Sequence, residues 1–171
     1  MDRDLIAELL GQLADELELV GARGELLLVG GAAMALAYSS RRVTADLDAI
    51  FEPKQVIYDA ATRVGERNGL ESGWLNDAVK AFAPGPDPNA TVFFDRPGLV
   101  VRLASPRYLL AMKLLASRVE RDEDDIALLL RLSHIDTLDE ALELVEQVYP
   151  SVIIAPKVQY LVQELLDEQH R

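Results

Sequence analysis

The segment Leu28-Val-Gly-Gly-Ala-Ala-Met34 is followed, after six residues, by Arg41-Arg-Val-Thr-Ala-Asp-Leu-Asp48. Upstream, Glu25-Leu-Leu-Leu-Val29 is a short apolar run bounded by glycines and reads as a buried strand. Gly30 and Gly31 make a turn, and Ala32-Ala-Met-Ala-Leu-Ala37 favours a helix. Val43 to Phe51 reads as a second strand. In it Asp46, Asp48 and Ile50 share one face, while Leu47, Ala49 and Phe51 share the other.

Outward from this core, Leu5, Ile6, Leu9, Leu10, Leu13, Leu17 and Val20 recur at helical spacing over residues 3–20. Pro53 opens a helix reaching Arg67. Residues 68–90 are rich in Gly, Pro and Asn and read as irregular. Thr91–Phe94 and Leu99–Leu103 read as strands joined by Asp95-Arg-Pro-Gly98. Ser105-Pro106 begins a helix that passes Lys113 to about Arg118. Glu120-Arg-Asp-Glu-Asp-Asp125 reads as a charged break, followed by helices from Ile126, near 138–148 and near 156–168. The expected fold class is therefore α+β: a small mixed sheet flanked by helices, with a helical C-terminal half. No repeat or long linker divides the chain. It is expected to be one domain over 1–171, with a sheet-containing part (about 1–104) and a helical part (about 105–171).

The chain has 171 residues, half of them hydrophobic, and a mean hydropathy of +0.08, which excludes disorder and low-complexity structure. It lacks cysteine, so disulfide scaffolds, thiolate zinc sites and cysteine nucleophiles are excluded. The acidic, amphipathic start is unlike a signal peptide, and no apolar run has the roughly 18 residues that span a bilayer. A cytoplasmic protein with no membrane partner is expected. The net charge of −12 argues against a generic nucleic-acid surface. Its distribution is uneven. Residues 1–40 carry −5 and residues 122–171 carry −9, whereas residues 41–121 hold 12 of the 17 basic groups and carry +2. The acidic flanks read as solvated helix faces, and the central segment as a face that suits polyphosphate or a short RNA.

A glycine pair after a strand lets the backbone approach a phosphate, and the following helix offers unpaired N–H groups; in isolation the pair is weak evidence and reads rather as a tight strand-to-helix turn. Asp46 and Asp48, about 7 Å apart at Cα on a strand, suit one hard divalent cation; the alternative is an exposed polar face. The apolar neighbours Leu47, Ala49, Ile50 and Phe51 favour the cation.

This combination resembles the polymerase-β-like nucleotidyltransferase superfamily. It is most similar to the AbiEii/MenT-like branch, which includes toxins of bacterial toxin–antitoxin pairs. The residues that carry the resemblance are Gly30, Gly31, Ala33, Arg42, Thr44, Asp46 and Asp48, then Lys113, Arg118, Asp122, Asp125 and Ile126; together they cover about 26–132. Trp74-Leu-Asn-Asp77 is similar to a stretch in small members of the group. The resemblance implies transfer of a nucleoside monophosphate from an NTP to an acceptor hydroxyl. Asp46 and Asp48 would hold Mg²⁺ (or Mn²⁺). Gly30, Gly31, Arg42, Thr44 and Arg118 would bind the nucleotide, and Lys113 and Asp125 would assist catalysis. It further implies the 3′ end of tRNA as acceptor and a cognate antitoxin as partner. Two departures stand out. Many relatives carry Ser where this chain has Gly31. Many also carry a third acid on a later strand, where Leu99–Leu103 offers Arg102 and the nearby turn only Asp95. The alternatives are a small-molecule (antibiotic-type) or protein nucleotidyltransferase, and a non-catalytic nucleotide-binding module.

Lys113 and Asp125 are twelve residues apart. On one unbroken helix they would be about 18 Å apart. They can share a site only if the chain turns near 117–121, with Asp122 or Asp124 capping the next helix. Arg41 and Arg42 suit either a triphosphate or the neighbouring acids. Trp74 and Tyr38 suit core packing better than base stacking, and His134 and His170 have no ligand spacing.

Overall fold

In the computed structural model, which describes residues 1–38, 43–116, 119–150 and 152–171, the chain has the α+β fold that the sequence predicts. It folds as two units: Met1–Ala81 with Asn89–Ala104, and Phe82–Pro88 with Ser105–Arg171. No helix among the described residues is long and apolar enough to cross a membrane.

The first unit begins with α1 (Arg3–Leu19). The Asp2 carboxylate caps it by accepting from the Leu5 N–H at 3.0 Å. Its stripe of Ile6, Leu9, Leu10, Leu13 and Leu17 is wholly buried, and Gly21, at φ +65, turns the chain away. Among the described residues five strands follow: β1 (Gly24–Leu28), β2 (Leu47–Glu52), β3 (Leu75–Asn76), β4 (Thr91–Arg96) and β5 (Leu99–Leu103). They form one mixed sheet in the order β3-β2-β1-β5-β4. β1 runs antiparallel to β2 and parallel to β5, β3 is parallel to β2, and β4 is antiparallel to β5. In β2, Leu47, Ala49 and Phe51 are buried, as the alternation predicts. Between β1 and β2, α2 (Gly30–Ala33) passes directly into a π-helical stretch, Met34–Tyr38, with Met34, Ala35 and Leu36 buried.

α3 (Lys54–Asn68) packs on α1. The nearly buried Glu16 of α1 meets Arg63 and Arg67 of α3, each at 2.6 Å. The Arg63 hydrogen bond, aided by Arg67 and opposed by desolvation, holds the Glu16 carboxyl below its ordinary 4.5. A carboxylate lowered on folding stabilises fully above its unfolded value and loses that contribution as pH falls through the folded one. Glu16→Gln is therefore expected to be less stable than wild type at pH 7. The difference should shrink as pH drops below 4.5, in urea melts taken across that range. A constant difference down to pH 2 would contradict it.

Two stretches differ from the sequence reading. β2 starts at Leu47 rather than Val43, because the Thr44 hydroxyl donates to the Asp46 carbonyl at 2.9 Å and bends residues 45–46 off the strand. Asp46 thus lies at a bend just before the strand that carries Asp48. Within the supposed irregular stretch, β3 and a 3₁₀ turn (Ala78–Ala81) form, and the Leu47 N–H donates to the Trp74 carbonyl at 2.6 Å.

The second unit holds α4 (Pro106–Ala116), α5 (Val119–Leu132), α6 (Leu138–Val148) and α7 (Pro156–Gln169). Ser105 Oγ accepts from the Tyr108 N–H at 3.3 Å, as its position before Pro106 predicts. The Asp87 carboxylate in turn accepts from the Ser105 N–H and hydroxyl. Tyr108 donates to the Pro84 and Gly85 carbonyls, and burial pushes its phenol up to about 12. Thr137 and Glu140 form a reciprocal capping box on α6. The charged break proves to be the first turns of α5, where acids meet the positive end of the helix dipole. Asp122 and Asp124 therefore lie within the helix and do not cap it.

Candidate functional site

In the first unit the glycine turn and the acidic segment come together. The Val29 N–H donates to the Asp48 carbonyl at 3.0 Å, which extends the β1–β2 ladder to the start of the turn. Gly30 has φ +56, and a Cβ there would lie 3.2 Å from Asp48 Oδ2. A Cβ on Gly31 would lie 2.8 Å from Thr44 Oγ1. The pair is thus fixed by two demands, a left-handed backbone at Gly30 and close approach of Thr44 and Asp48. The second demand also explains why Ser is absent at 31: its Cβ would displace Thr44.

Asp48 is half-buried on β2, whereas Asp46 is exposed at the bend. Asn76 joins them. It pairs in register with Asp48 across β2 and β3, and its Nδ2 lies 3.4 Å from Asp46 Oδ2. Asn76 and Asp77 were not among the site residues that the motif spacing singled out. The signal was the polar pair after the apolar Trp74-Leu75, readable only once β3 is known to border β2. Asp77 accepts from the Tyr58 hydroxyl at 2.6 Å and pairs with Lys54 at 2.7 Å, and these contacts, Lys54 first, hold its carboxyl below the ordinary value. Trp74 belongs to the core, as expected, with its indole N–H on the Ala61 carbonyl at 2.9 Å.

The donor set here is two carboxylates, hard oxygen groups, with Asp48 beside a backbone cradle that a Cβ would fill. That suits Mg²⁺ or Mn²⁺. A third acid does not join them: among the described residues no three His, Asp or Glu side chains group as a metal site, and Asp95 is paired with Arg23 at 2.6 Å.

In the second unit, α4 and α5 bring Lys113 to the acids that follow it. Its Nζ lies 2.7 Å from Asp122 Oδ1 and 2.8 Å from Asp125 Oδ2. The three side chains are only 13%, 10% and 4% exposed. Lys113 and Asp125 therefore do meet, although two acids rather than one hold the lysine. Asp122 and Asp125, three residues apart, lie on one helix face. Arg41, Arg42 and Arg118 lie outside the described residues.

Comparisons with curated proteins and with solved structures return no match. One family model spans residues 8–152, taking in the Gly30–Gly31 turn, Asp46, Asp48 and the Lys113–Asp125 pair. The chain belongs to that family, described as nucleotidyltransferase of unknown function (DUF6036).

Proposed function

We propose that the protein is a divalent-metal-dependent enzyme that transfers a nucleoside monophosphate from an NTP to an acceptor hydroxyl. The observation that carries this is the fit of the Gly30–Gly31 turn against Thr44 and Asp48, which sets a side-chain-free backbone beside the acid pair. Nucleotidyltransferases generally take an NTP together with a divalent metal. Bound here, the metal would neutralise triphosphate charge and act as a Lewis acid on the α-phosphate.

In this reading Asp46 and Asp48 hold the cation and so fix the triphosphate. Gly30 and Gly31 let the backbone lie against the phosphates. Thr44 holds the bend that presents Asp46. The acceptor oxygen attacks the α-phosphorus in line, the bond to the bridging oxygen breaks, and pyrophosphate leaves, with the hydroxyl proton passing to solvent. Lys113 serves as the cation of the second unit, oriented by Asp122 and Asp125. Arg42 and Arg118 are further phosphate contacts by the motif alone.

The motif resemblance favours the 3′ end of tRNA as acceptor and a toxin role with a cognate antitoxin. The net charge of −12 favours instead a cationic small molecule of the antibiotic type. The missing third acid favours a non-catalytic module. Competition between total tRNA and an aminoglycoside for label from α-labelled NTPs separates these. The tRNA reading expects label on RNA, unaffected by the aminoglycoside. Label on the aminoglycoside alone would overturn that acceptor and keep the transferase.

A further inference from the structure

The acid pair has unequal support. Asp48 is half-buried on a paired strand, and its carboxylate lies close to Gly30. Asp46 is exposed at a bend that leaves the strand, so burial does not hold its side chain. A two-carboxylate cation site needs both groups aimed at one point, and a swinging Asp46 would have to be ordered each time a cation binds.

Asn76 meets that need. It is the neighbour of Asp48 in the parallel β2–β3 register, so the two side chains stand on one face, one strand spacing apart (about 4.8 Å). The orientation of its amide follows from chemistry. The Ala78 N–H can only donate, so the Asn76 atom 3.2 Å from it is the carbonyl oxygen, and the NH₂ group faces Asp46 Oδ2 at 3.4 Å. The segment carrying Asn76 is anchored on both sides. Trp74 and Leu75 are buried before it. After it, Asp77 is clamped by the Tyr58 hydroxyl and Lys54, and the Asp77 N–H lies 3.2 Å from the same hydroxyl.

Resting on the nucleotidyl-transfer reading, we propose that Asn76 is a positioning residue of the metal site: its amide donates to one oxygen of Asp46 and so holds the carboxylate beside Asp48. The amide acts as a donor to a ligand and not as a ligand. Two neighbouring carboxylates with a neutral donor between them also repel less than three acids would. Tyr58, Lys54 and Asp77 brace the residue from behind.

The test measures Mn²⁺ binding by calorimetry or by loss of the free-ion resonance signal, in the presence of a non-hydrolysable α,β-methylene NTP and with the Mn²⁺ held by the nucleotide alone subtracted. It compares wild type with Asn76→Ala, Asn76→Asp and Asp46→Ala, each with a thermal melt. Wild type should bind Mn²⁺ and Asp46→Ala should not. Asn76→Ala should bind about 10-fold more weakly, with an unchanged melt and a raised Mg²⁺ requirement for activity but little loss of kcat at saturating Mg²⁺. Asn76→Asp keeps the shape and the acceptor for Ala78, so it decides the case if Asn76→Ala fails to fold; it should also bind more weakly, because the donor is replaced by a repelling charge. Binding by Asn76→Ala within twofold of wild type would overturn the proposal. Tighter binding by Asn76→Asp would overturn it too, because the position would then act as a ligand. Equal Mn²⁺ binding by wild type and Asp46→Ala would remove the metal reading itself, and this inference with it.

Discussion

Asp46→Ala and Asp48→Ala are each expected to lower nucleotidyl transfer by about 10³-fold, roughly 4 kcal/mol of transition-state stabilisation. Asp48 lies beside the Gly30 turn and Asp46 at the bend just before its strand, and each variant would remove half of the carboxylate charge of the pair. Asp46 is exposed, so its loss should leave the melting temperature unchanged. Asp48 is half-buried against Gly30, which makes the isosteric Asp48→Asn the cleaner control for folding. The measurement is initial rate at saturating NTP and Mg²⁺. A fall of less than tenfold for both variants would show that the acid pair is not the metal site.

Lys113→Met should have the largest effect on stability. Its ammonium is the positive charge between two carboxylates that are themselves nearly buried. Removing it leaves two like charges on one face of α5 without the Lys113 ammonium between them. Breaking a buried pair in this way costs about 3–5 kcal/mol, or a melting temperature lower by about 10 °C for a chain of this size. The triple variant Lys113→Met, Asp122→Asn, Asp125→Asn removes all three charges and should recover most of that loss. Activity then separates the two roles of the lysine. A stable but inactive triple variant would assign the triad to catalysis, and a stable, active one would make it purely structural. If Lys113→Met melted like wild type, the ion triad would not hold α4 to α5.

Much of the first unit was legible in the sequence because its signals are local. The alternation of Leu47, Ala49 and Phe51 predicts the buried face of β2, and the helical spacing of Leu9, Leu13 and Leu17 predicts α1. The glycine pair marked the turn, but its reason was not legible: Thr44 and Asp48 approach from the segment that leads into and forms β2. The same is true of Asn76, whose place beside Asp48 depends on a two-residue strand too short to give a pattern. Side chain to backbone bonding at Thr44 outweighed strand propensity and moved the start of β2 past Asp46. In α5 the run of acids looked like a break because like charges disfavour a helix. Lys113 on the neighbouring helix supplies the countercharge that makes it one.

On the proposed reading, metal-dependent nucleotidyl transfer occurs at the Gly30–Gly31 turn and the Asp46–Asp48 segment. Its most direct measurement is incubation of the protein with each α-labelled NTP, Mg²⁺, and pooled RNA, protein and small-molecule acceptors. Wild type is compared with Asp46→Ala and with a chelator control. The account predicts that label moves from one or more NTPs to an acceptor, with matching release of pyrophosphate, only with wild type and only with metal. Label retained on every NTP, or moved equally by Asp46→Ala, would contradict it.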